Sequence, residues 1–197
     1  MRRNNNDRAR KTVAQEAARI IVTQGIRDFR VAKTKAAERL GLVSRGSLPG
    51  NSEVERAIDD YHQIFGGLSH VALLNSLRQS ALAAMRLLEQ FSPRLVGAVL
   101  NGTADENSVI SLHVFDDSAE SLALYLADQQ IPCRPYERRL KRRKDQVDTF
   151  AGFEFDFADA TIQATVFPEN GIRQAPLSPI DGRPMQRADA KAVARLL

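Results

Sequence analysis

The sequence predicts an α+β protein in which a helical N-terminal region precedes a small mixed-sheet domain. Up to residue 90, small and apolar residues recur at three- and four-residue spacing, which is the period of an amphipathic helix. From residue 95 onward the pattern changes to short apolar runs and to strict alternation of apolar and polar residues. Because these strand patterns enclose one further helix, we expect a mixed sheet with the helical region beside it.

Four helices are predicted in the N-terminal region, residues 1–91. The first covers residues 7–24 and stops at Gly25, and the second is capped by Asp28 and stops at Gly41. A capping box formed by Ser52 and Glu55 begins the third helix. Its predicted buried stripe consists of Val54, Ala57, Ile58, Tyr61, Ile64 and Phe65. A helix rich in leucine and alanine follows over about residues 69–90.

Five strands are predicted after residue 91, in a domain that covers residues 92–168. They occupy residues 95–102, 109–115, 133–140, 147–157 and 161–167, with a helix over residues 118–129. In the fourth strand Phe153, Phe155 and Phe157 alternate with Glu154 and Asp156, so one face is apolar and the other acidic. Residues 169–197 are predicted to form an irregular tail with a short terminal helix.

Composition excludes several classes of protein. The chain has 197 residues, 43% of them hydrophobic, which suffices for a buried core, and it contains no apolar run of membrane-spanning length. No secretory signal is visible, so we expect a soluble, cytoplasmic protein without a membrane partner. Its single cysteine, Cys133, cannot form an internal disulfide or a cysteine-rich metal site, and the three histidines lack metal-ligand spacing.

Basic charge is concentrated in two patches. Residues 1–50 contain twelve Lys and Arg against four Asp and Glu, and residues 134–144 contain seven bases and one acid. Such patches attract phosphates, although each alone is equally well explained as a solvated surface. The residues predicted to contact nucleic acid are Arg30, Lys33, Lys35, Arg39, Arg138, Arg139, Lys141, Arg142, Arg143 and Lys144.

The order strand, Gly-Thr turn, strand, helix and further strands carries a resemblance to a known family. It resembles the minimal nucleotidyltransferase domain of the DNA polymerase beta superfamily, over about residues 92–168. In that family a Gly-Ser turn precedes a strand that opens with Ser-Asp-x-Asp, and a later strand adds a third acid. Gly102 and Thr103 would correspond to the turn and Ser108 to the serine, so the resemblance implies that these three residues bind phosphate.

The metal-binding carboxylates of that motif are replaced. Their two positions read Val109 and Ser111, and the third position falls among Gln163, Ala164 and Thr165. Two carboxylates at period two would hold Mg²⁺ against a triphosphate, whereas valine offers no ligand atom and serine only a hydroxyl. We therefore expect no metal at the usual place and no cofactor. A displaced Mg²⁺ site would need other acids, drawn from Asp105, Glu106, Asp116, Asp117, Glu154 and Asp156, of which Asp105, Glu154 and Asp156 are the catalytic candidates.

Three functions remain open from the sequence. The first is a nucleotidyltransferase-like pseudoenzyme that binds RNA, DNA or a nucleotide through its basic patches. An active nucleotidyltransferase with atypical carboxylates is the second, and a module that binds a protein partner or a second copy is the third. Ser111 and His113 share a strand face, but no acid completes a catalytic arrangement with them, and a place at the sheet surface or in the core is the favoured interpretation for His113.

Overall fold

The helices and strands follow the predicted order, and the protein is α+β. The structure is a computed structural model that describes residues 2–26, 28–42, 48–143 and 146–197. Its helices are α1 (Arg2–Gln24), α2 (Phe29–Arg39), α3 (Asn51–Tyr61), α4 (Gly67–Leu87), α5 (Ala98–Asn101), α6 (Ala119–Asp128) and α7 (Ala190–Ala194). Its strands are β1 (Arg94–Val96), β2 (Ile110–Phe115), β3 (Cys133–Arg143), β4 (Gln146–Phe157) and β5 (Ala160–Phe167). No helix in these ranges is long and apolar enough to cross a membrane.

The contacts divide the chain into two compact units. The first contains residues 1–71, 105–107 and 179–181, and the second contains residues 72–104, 108–178 and 182–197. The boundary at residue 71 differs from the boundary predicted at residue 91, because Ala81, Leu82 and Met85 of α4 belong to the core cluster of the sheet. The core of the first unit consists mainly of small residues of α1, α2 and α3, including Ala17, Ala32 and Ala36.

Helix starts in the first unit follow capping chemistry, with one correction. Asp28 caps α2 as predicted, since its carboxylate accepts the backbone N–H of Arg30 at 2.7 Å and of Val31 at 3.2 Å. The predicted capping box of Ser52 and Glu55 is wrong. The N-cap of α3 is Gly50, two residues before Ser52, and Glu53 accepts the backbone N–H of Gly50 at 2.7 Å.

The predicted buried stripe of the third helix also needs correction. Val54, Ala57 and Ile58 are buried, but Ile64 and Phe65 are each 70% exposed. A π-helical turn over His62–Gly66 interrupts the helical ladder between α3 and α4. The turn adds a residue to the helical repeat, so positions after Tyr61 rotate away from the face that spacing alone assigns to them.

The sheet of the second unit is mixed and has the strand order β1-β2-β5-β4-β3. Strands β2 and β5 are parallel, and the other neighbouring pairs are antiparallel. One face, the core face, packs Ile110, Leu112, Ile162, Ala164 and Phe155 into the main cluster with α4 and α6. Because side chains alternate along a strand, the residues between them project to the opposite face, which we call the polar face.

The predicted strand over residues 95–102 is wrong in its second half. Strand β1 ends at Val96, and Gly97 adopts a φ of 75° and a ψ of −153°, a conformation that only glycine reaches readily. The chain then turns once as α5 and ends at Gly102 in the left-handed region. An apolar run does not by itself distinguish a strand from a strand followed by a short helix.

Candidate functional site

The polar face of the sheet contains the positions at which the family motif would place its acids. Ser111 of β2 is the register partner of Gln163 of β5, and Gln163 is in turn the partner of Glu154 of β4. Val109 directly precedes β2 and is not part of the strand. One row across three strands therefore carries a hydroxyl, an amide and a single carboxylate.

The two carboxylates of β4 each accept a hydrogen bond from β5. Gln163 donates its amide N–H to Glu154 at 2.7 Å, and Thr161 donates its hydroxyl to Asp156 at 2.7 Å. The alternation in the sequence thus correctly places Glu154 and Asp156 on one strand face. Each carboxylate thus has a neutral hydrogen-bond donor on β5.

Asp105, the third catalytic candidate, belongs to the first unit, whereas Glu154 and Asp156 belong to the second. Its carboxylate accepts the backbone N–H of Asn107 at 2.9 Å, which makes a local turn. Across the described ranges, no group of three or more histidine, cysteine, aspartate or glutamate side chains is arranged to hold a metal ion.

The Gly102-Thr103 turn already uses the backbone groups that were expected to bind phosphate. The N–H groups of Gly102 and Thr103 both donate to the carbonyl of Ala98, at 2.9 and 3.0 Å. These bonds end α5, as is usual for a helix that stops at a glycine in the left-handed region. Ser108 lies two residues before β2 and is half-buried.

The predicted basic patch on α2 is largely engaged within the first unit. Lys33 donates to the carbonyl of Pro49 at 3.1 Å and to the amide oxygen of Asn51 at 2.8 Å. Lys35 donates to Gln24 at 2.7 Å, and Arg39 lies 3.4 Å from Glu16. Arg30 is exposed. These side chains connect α2 to its neighbours, so most of the patch has a structural role.

The second basic patch lies on a hairpin that extends past the rest of the sheet. Strand β4 pairs with β5 only from Gly152 to Phe157, whereas β3 and β4 remain paired out to Arg143 and Gln146. Arg139 and Lys141 alternate on one side of the hairpin and are exposed. Arg143 follows a register shift and is exposed as well. We call Arg139, Lys141 and Arg143 the basic ribbon.

The opposite side of this hairpin packs against the protein. Leu140 is buried in a small cluster with Phe115 and Phe167. Arg142 lies 3.6 Å from Asp148 in an ion pair. Lys144 is outside the described residues. Six bases of the hairpin are predicted to contact nucleic acid. Three of them form the exposed basic ribbon, and Arg138 and Arg142 lie on the packed side.

A histidine and an arginine form a buried contact on the polar face that sequence reasoning did not find. Arg187 donates from Nε to Nδ1 of His113 at 3.0 Å and from Nη1 to the carbonyl of Gly171 at 2.8 Å. Its guanidinium lies about 5 Å from the ring centroids of Phe115 and Phe167, at 5.0 and 4.9 Å. His113 and Arg187 are 74 residues apart, and no local pattern links them.

Tyr136 lies on the polar face beside His113 and Arg187. The hydroxyl of Tyr136 is 2.8 Å from that of Thr165, which is the register partner of His113. The ring lies directly over Gly152, where an added Cβ would come within 2.4 Å of the tyrosine Cζ. Burial raises the pKa of Tyr136. Gly152 is therefore needed because of the close approach of the aromatic ring.

Comparison with known protein families, with curated proteins and with solved structures finds no significant match to this chain.

The environment of His113 predicts an imidazole that stays neutral in acid. Burial, and then the charges of Arg187 and Arg138, lower the pKa of His113 to about 2. The unfolded chain, with an ordinary histidine pKa of about 6.5, binds this proton more readily. The contribution of His113 to stability is therefore present above about pH 6.5 and decreases as the pH falls toward 2.

Ring ¹⁵N chemical shifts measure this directly. We expect the His113 signals to report a proton on Nε2 and none on Nδ1, unchanged between neutral pH and about pH 4.5. A titration with a midpoint near pH 6 would show that the imidazole is accessible and that the contact with Arg187 does not persist in solution.

Proposed function

We propose that the chain is a nucleotidyltransferase-like protein that lacks the usual metal site and binds nucleic acid through the basic ribbon. The observation that carries this proposal is the exposure of Arg139, Lys141 and Arg143 on a hairpin that extends beyond the sheet. The proposal combines two separate arguments, one about lost chemistry and one about phosphate contact.

Lost chemistry is supported by the row Ser111, Gln163 and Glu154. Mg²⁺ requires hard oxygen ligands in nearly ideal octahedral geometry, and nucleotidyl transfer depends on metal ions to position the phosphates. A serine hydroxyl and a glutamine side chain whose amide donates to Glu154 provide no second carboxylate in this row.

The turn after β1 supports the same conclusion. The residue that directly follows this strand is Gly97, not Gly102, and Ala98 comes next. Gly97 also lies next to Ser111, since an added Cβ would be 3.8 Å from the serine Cβ. The proposed relationship puts a Gly-Ser pair directly after the first strand. Gly97 and Ala98 occupy that place, whereas Gly102 and Thr103 follow α5. Alanine there lacks the hydroxyl of the family serine.

Phosphate contact is supported by the geometry and charge of the ribbon. Arg139 and Lys141 are separated by two residues of a strand, which corresponds to about 7 Å. In the part of the chain that is described, none of the three cations of the basic ribbon forms an ion pair within 4.0 Å. The other side of the hairpin packs against the protein and Lys141 pairs with Leu177 of the tail, so only the exposed side can lie against a nucleic acid. Cations on that side release counterions when they meet phosphates.

The ribbon is favoured over the α2 patch because its cations are not already engaged. Lys33, Lys35 and Arg39 would have to give up bonds inside the first unit before they could contact a phosphate. Aromatic residues make up 6% of the chain, and none is described on the exposed side of the ribbon. We therefore expect contact with the phosphate backbone, with little base stacking or sequence preference.

The salt dependence of binding tests this function. We expect the full chain to bind single- or double-stranded RNA or DNA with an affinity that falls steeply with salt. The triple variant Arg139→Gln/Lys141→Gln/Arg143→Gln should reduce the slope of log affinity against log salt by about one unit per cation removed. Fluorescence anisotropy across a salt series measures the slope for each nucleic acid.

The matched control removes the same charge elsewhere. The variant Arg56→Gln/Arg86→Gln/Arg195→Gln changes three exposed arginines that lie outside both predicted basic patches. It should retain most of the salt slope. If both triple variants show the same slope, binding depends on net charge and not on the basic ribbon. If the chain binds no nucleic acid in a salt-sensitive way, the proposal is refuted.

Protein interaction is a second candidate function, favoured by an apolar ridge in the first unit. Ile64, Phe65 and Leu68 are 70%, 70% and 88% exposed and fall within five consecutive residues of the π-helical turn and the start of α4. Exposed apolar residues that cluster in this way are typical of interaction surfaces, and π-helical turns are frequent at functional sites.

Light scattering over a range of protein concentrations tests whether a second copy covers this ridge. If it does, Phe65→Ser/Leu68→Ser should weaken association about tenfold or more, because apolar anchors dominate interface energies. The control is Leu124→Ser on α6, since Leu124 is 68% exposed but lies in the other unit. A chain that is monomeric at every concentration, with or without the substitutions, would exclude self-association through the ridge.

A further inference from the structure

Strand β3 forms an open edge of the sheet over residues 133–139. It stands at the end of the order β1-β2-β5-β4-β3, so among the described strands its only neighbour is β4. The register with β4 continues without a shift from Cys133 to Lys141. An edge strand leaves backbone N–H and C=O groups unpaired along one side, which makes it a template for another strand.

The C-terminal tail shows which backbone groups of β3 point outward. Leu177 donates its backbone N–H to the carbonyl of Lys141 at 2.6 Å, and β4 occupies the other side of the strand. Backbone groups alternate in direction along a strand, so those of Glu137 and Arg139 point to the same side as those of Lys141. Pro135 fits this alternation, because it has no N–H and falls at an outward position.

The outward groups of Glu137 and Arg139 are available to a partner strand. Within the described ranges, the tail pairs with β3 only at Lys141, and no backbone hydrogen bond joins Glu137 or Arg139 to a segment other than β4. Both residues are exposed. From Cys133 to Arg139 the open edge is about 20 Å long, which matches a strand of average length.

The side chains along this edge are predominantly basic. Residues 134–141 contain four bases and one acid, namely Arg134, Arg138, Arg139, Lys141 and Glu137. None of the four bases forms an ion pair within 4.0 Å in the described structure. A second copy of β3 paired along this edge would place like charges against each other, which is destabilising. A strand with acidic side chains would place carboxylates beside the bases instead.

We propose that the edge of β3 binds an extended acidic segment of another protein as an added strand. Backbone hydrogen bonds to Glu137 and Arg139 hold the segment in register, and its carboxylates meet Arg134, Arg139 and Lys141. A nucleic acid meets the same charges but cannot continue the alternating ladder of N–H and C=O groups. The edge shares Arg139 and Lys141 with the basic ribbon, but the proposal does not rest on the binding of nucleic acid.

Amide hydrogen exchange of the full ¹⁵N-labelled chain tests the added strand. The probe is an eight-residue peptide that alternates glutamate and threonine. At saturation we expect exchange at the amides of Glu137 and Arg139 to slow about tenfold or more, because the peptide accepts from these N–H groups. Exchange at Arg138 should not change, since its N–H already points to β4. Equal slowing at all three amides, or no slowing at any of them, would overturn the proposal.

Two control peptides separate backbone pairing from charge. Methylation of every backbone nitrogen keeps the carboxylates but removes every N–H, and replacement of each glutamate by glutamine keeps the backbone but removes the charge. Each change should weaken binding about tenfold or more in fluorescence anisotropy. If the methylated peptide binds undiminished, charge alone attracts the peptide. If the glutamine peptide binds undiminished, the edge does not select acids. Either result would contradict the proposal.

Substitutions at Glu137 test the edge from the side of the protein. Glu137→Pro removes one outward N–H, as Pro135 already does two residues earlier. The matched control is Glu137→Gln, which removes the same charge and keeps the N–H. Glu137→Pro should bind the glutamate peptide about tenfold more weakly than Glu137→Gln, and equal affinities would refute the added strand. If Glu137→Pro does not fold, the exchange pattern of the unchanged chain decides.

The same variants separate this proposal from the binding of nucleic acid. Neither substitution at Glu137 removes a base, so both variants should show the same salt slope with nucleic acid. A short oligothymidylate forms the last arm. If it slows exchange at Glu137 and Arg139 while the peptide does not, the edge belongs to a nucleic-acid surface and the proposal is wrong. The two proposals thus fail separately.

Discussion

Burial of alternate residues on β2, β5 and β4 is the constraint on which the rest of the second unit depends. Ile110, Leu112, Ile162, Ala164 and Phe155 pack on the core face, and the parallel register of β2 with β5 follows from that packing. A shift of one residue would expose this whole set. The residues between them, including Ser111 and Gln163, are therefore fixed on the polar face, at positions that the proposed nucleotidyltransferase relationship assigns to acids.

The same constraint explains why the polar face combines unlike groups. Near the start of β2 it carries the row Ser111, Gln163 and Glu154, whereas near its end it carries His113 and Phe115. The first group is polar, and within it Gln163 donates to Glu154. The second is covered by the C-terminal tail through Arg187. Burial at this covered end is the main cause of the lowered pKa of His113.

Much of the architecture could be predicted because its signals are local. The alternating phenylalanines correctly predict β4, and Asp28 correctly predicts the start of α2. The apolar run over residues 109–115 predicts β2 with an error of one residue at its start. The errors occur where backbone conformation breaks a pattern. Gly97 ends β1 after three residues, and the π-helical turn after Tyr61 exposes Ile64, although neither effect is visible in the spacing of apolar residues.

The candidate site was less predictable, because its contacts are distant in sequence or depend on which neighbour a side chain meets. Glu154 and Asp156 were assigned to one face by their spacing, but their partners on β5 require the sheet register. Counting charges in the sequence does not distinguish the two basic patches as candidates for phosphate binding. Only the structure shows that Lys33 and Lys35 already donate hydrogen bonds to Asn51 and Gln24. The contact of His113 with Arg187 spans 74 residues and has no sequence signature.

Under the proposed function, this sheet does not hold a divalent cation at the place where nucleotidyltransferases hold theirs. Paramagnetic broadening by Mn²⁺, added with a nucleoside triphosphate to the ¹⁵N-labelled chain, tests it most directly. We expect the backbone amide signals of Ser111, Gln163 and Glu154 to broaden no more than those of α6 at stoichiometric Mn²⁺. Selective broadening of these three signals, abolished in Glu154→Gln/Asp156→Asn, would show that acids from elsewhere in the chain have rebuilt the metal site.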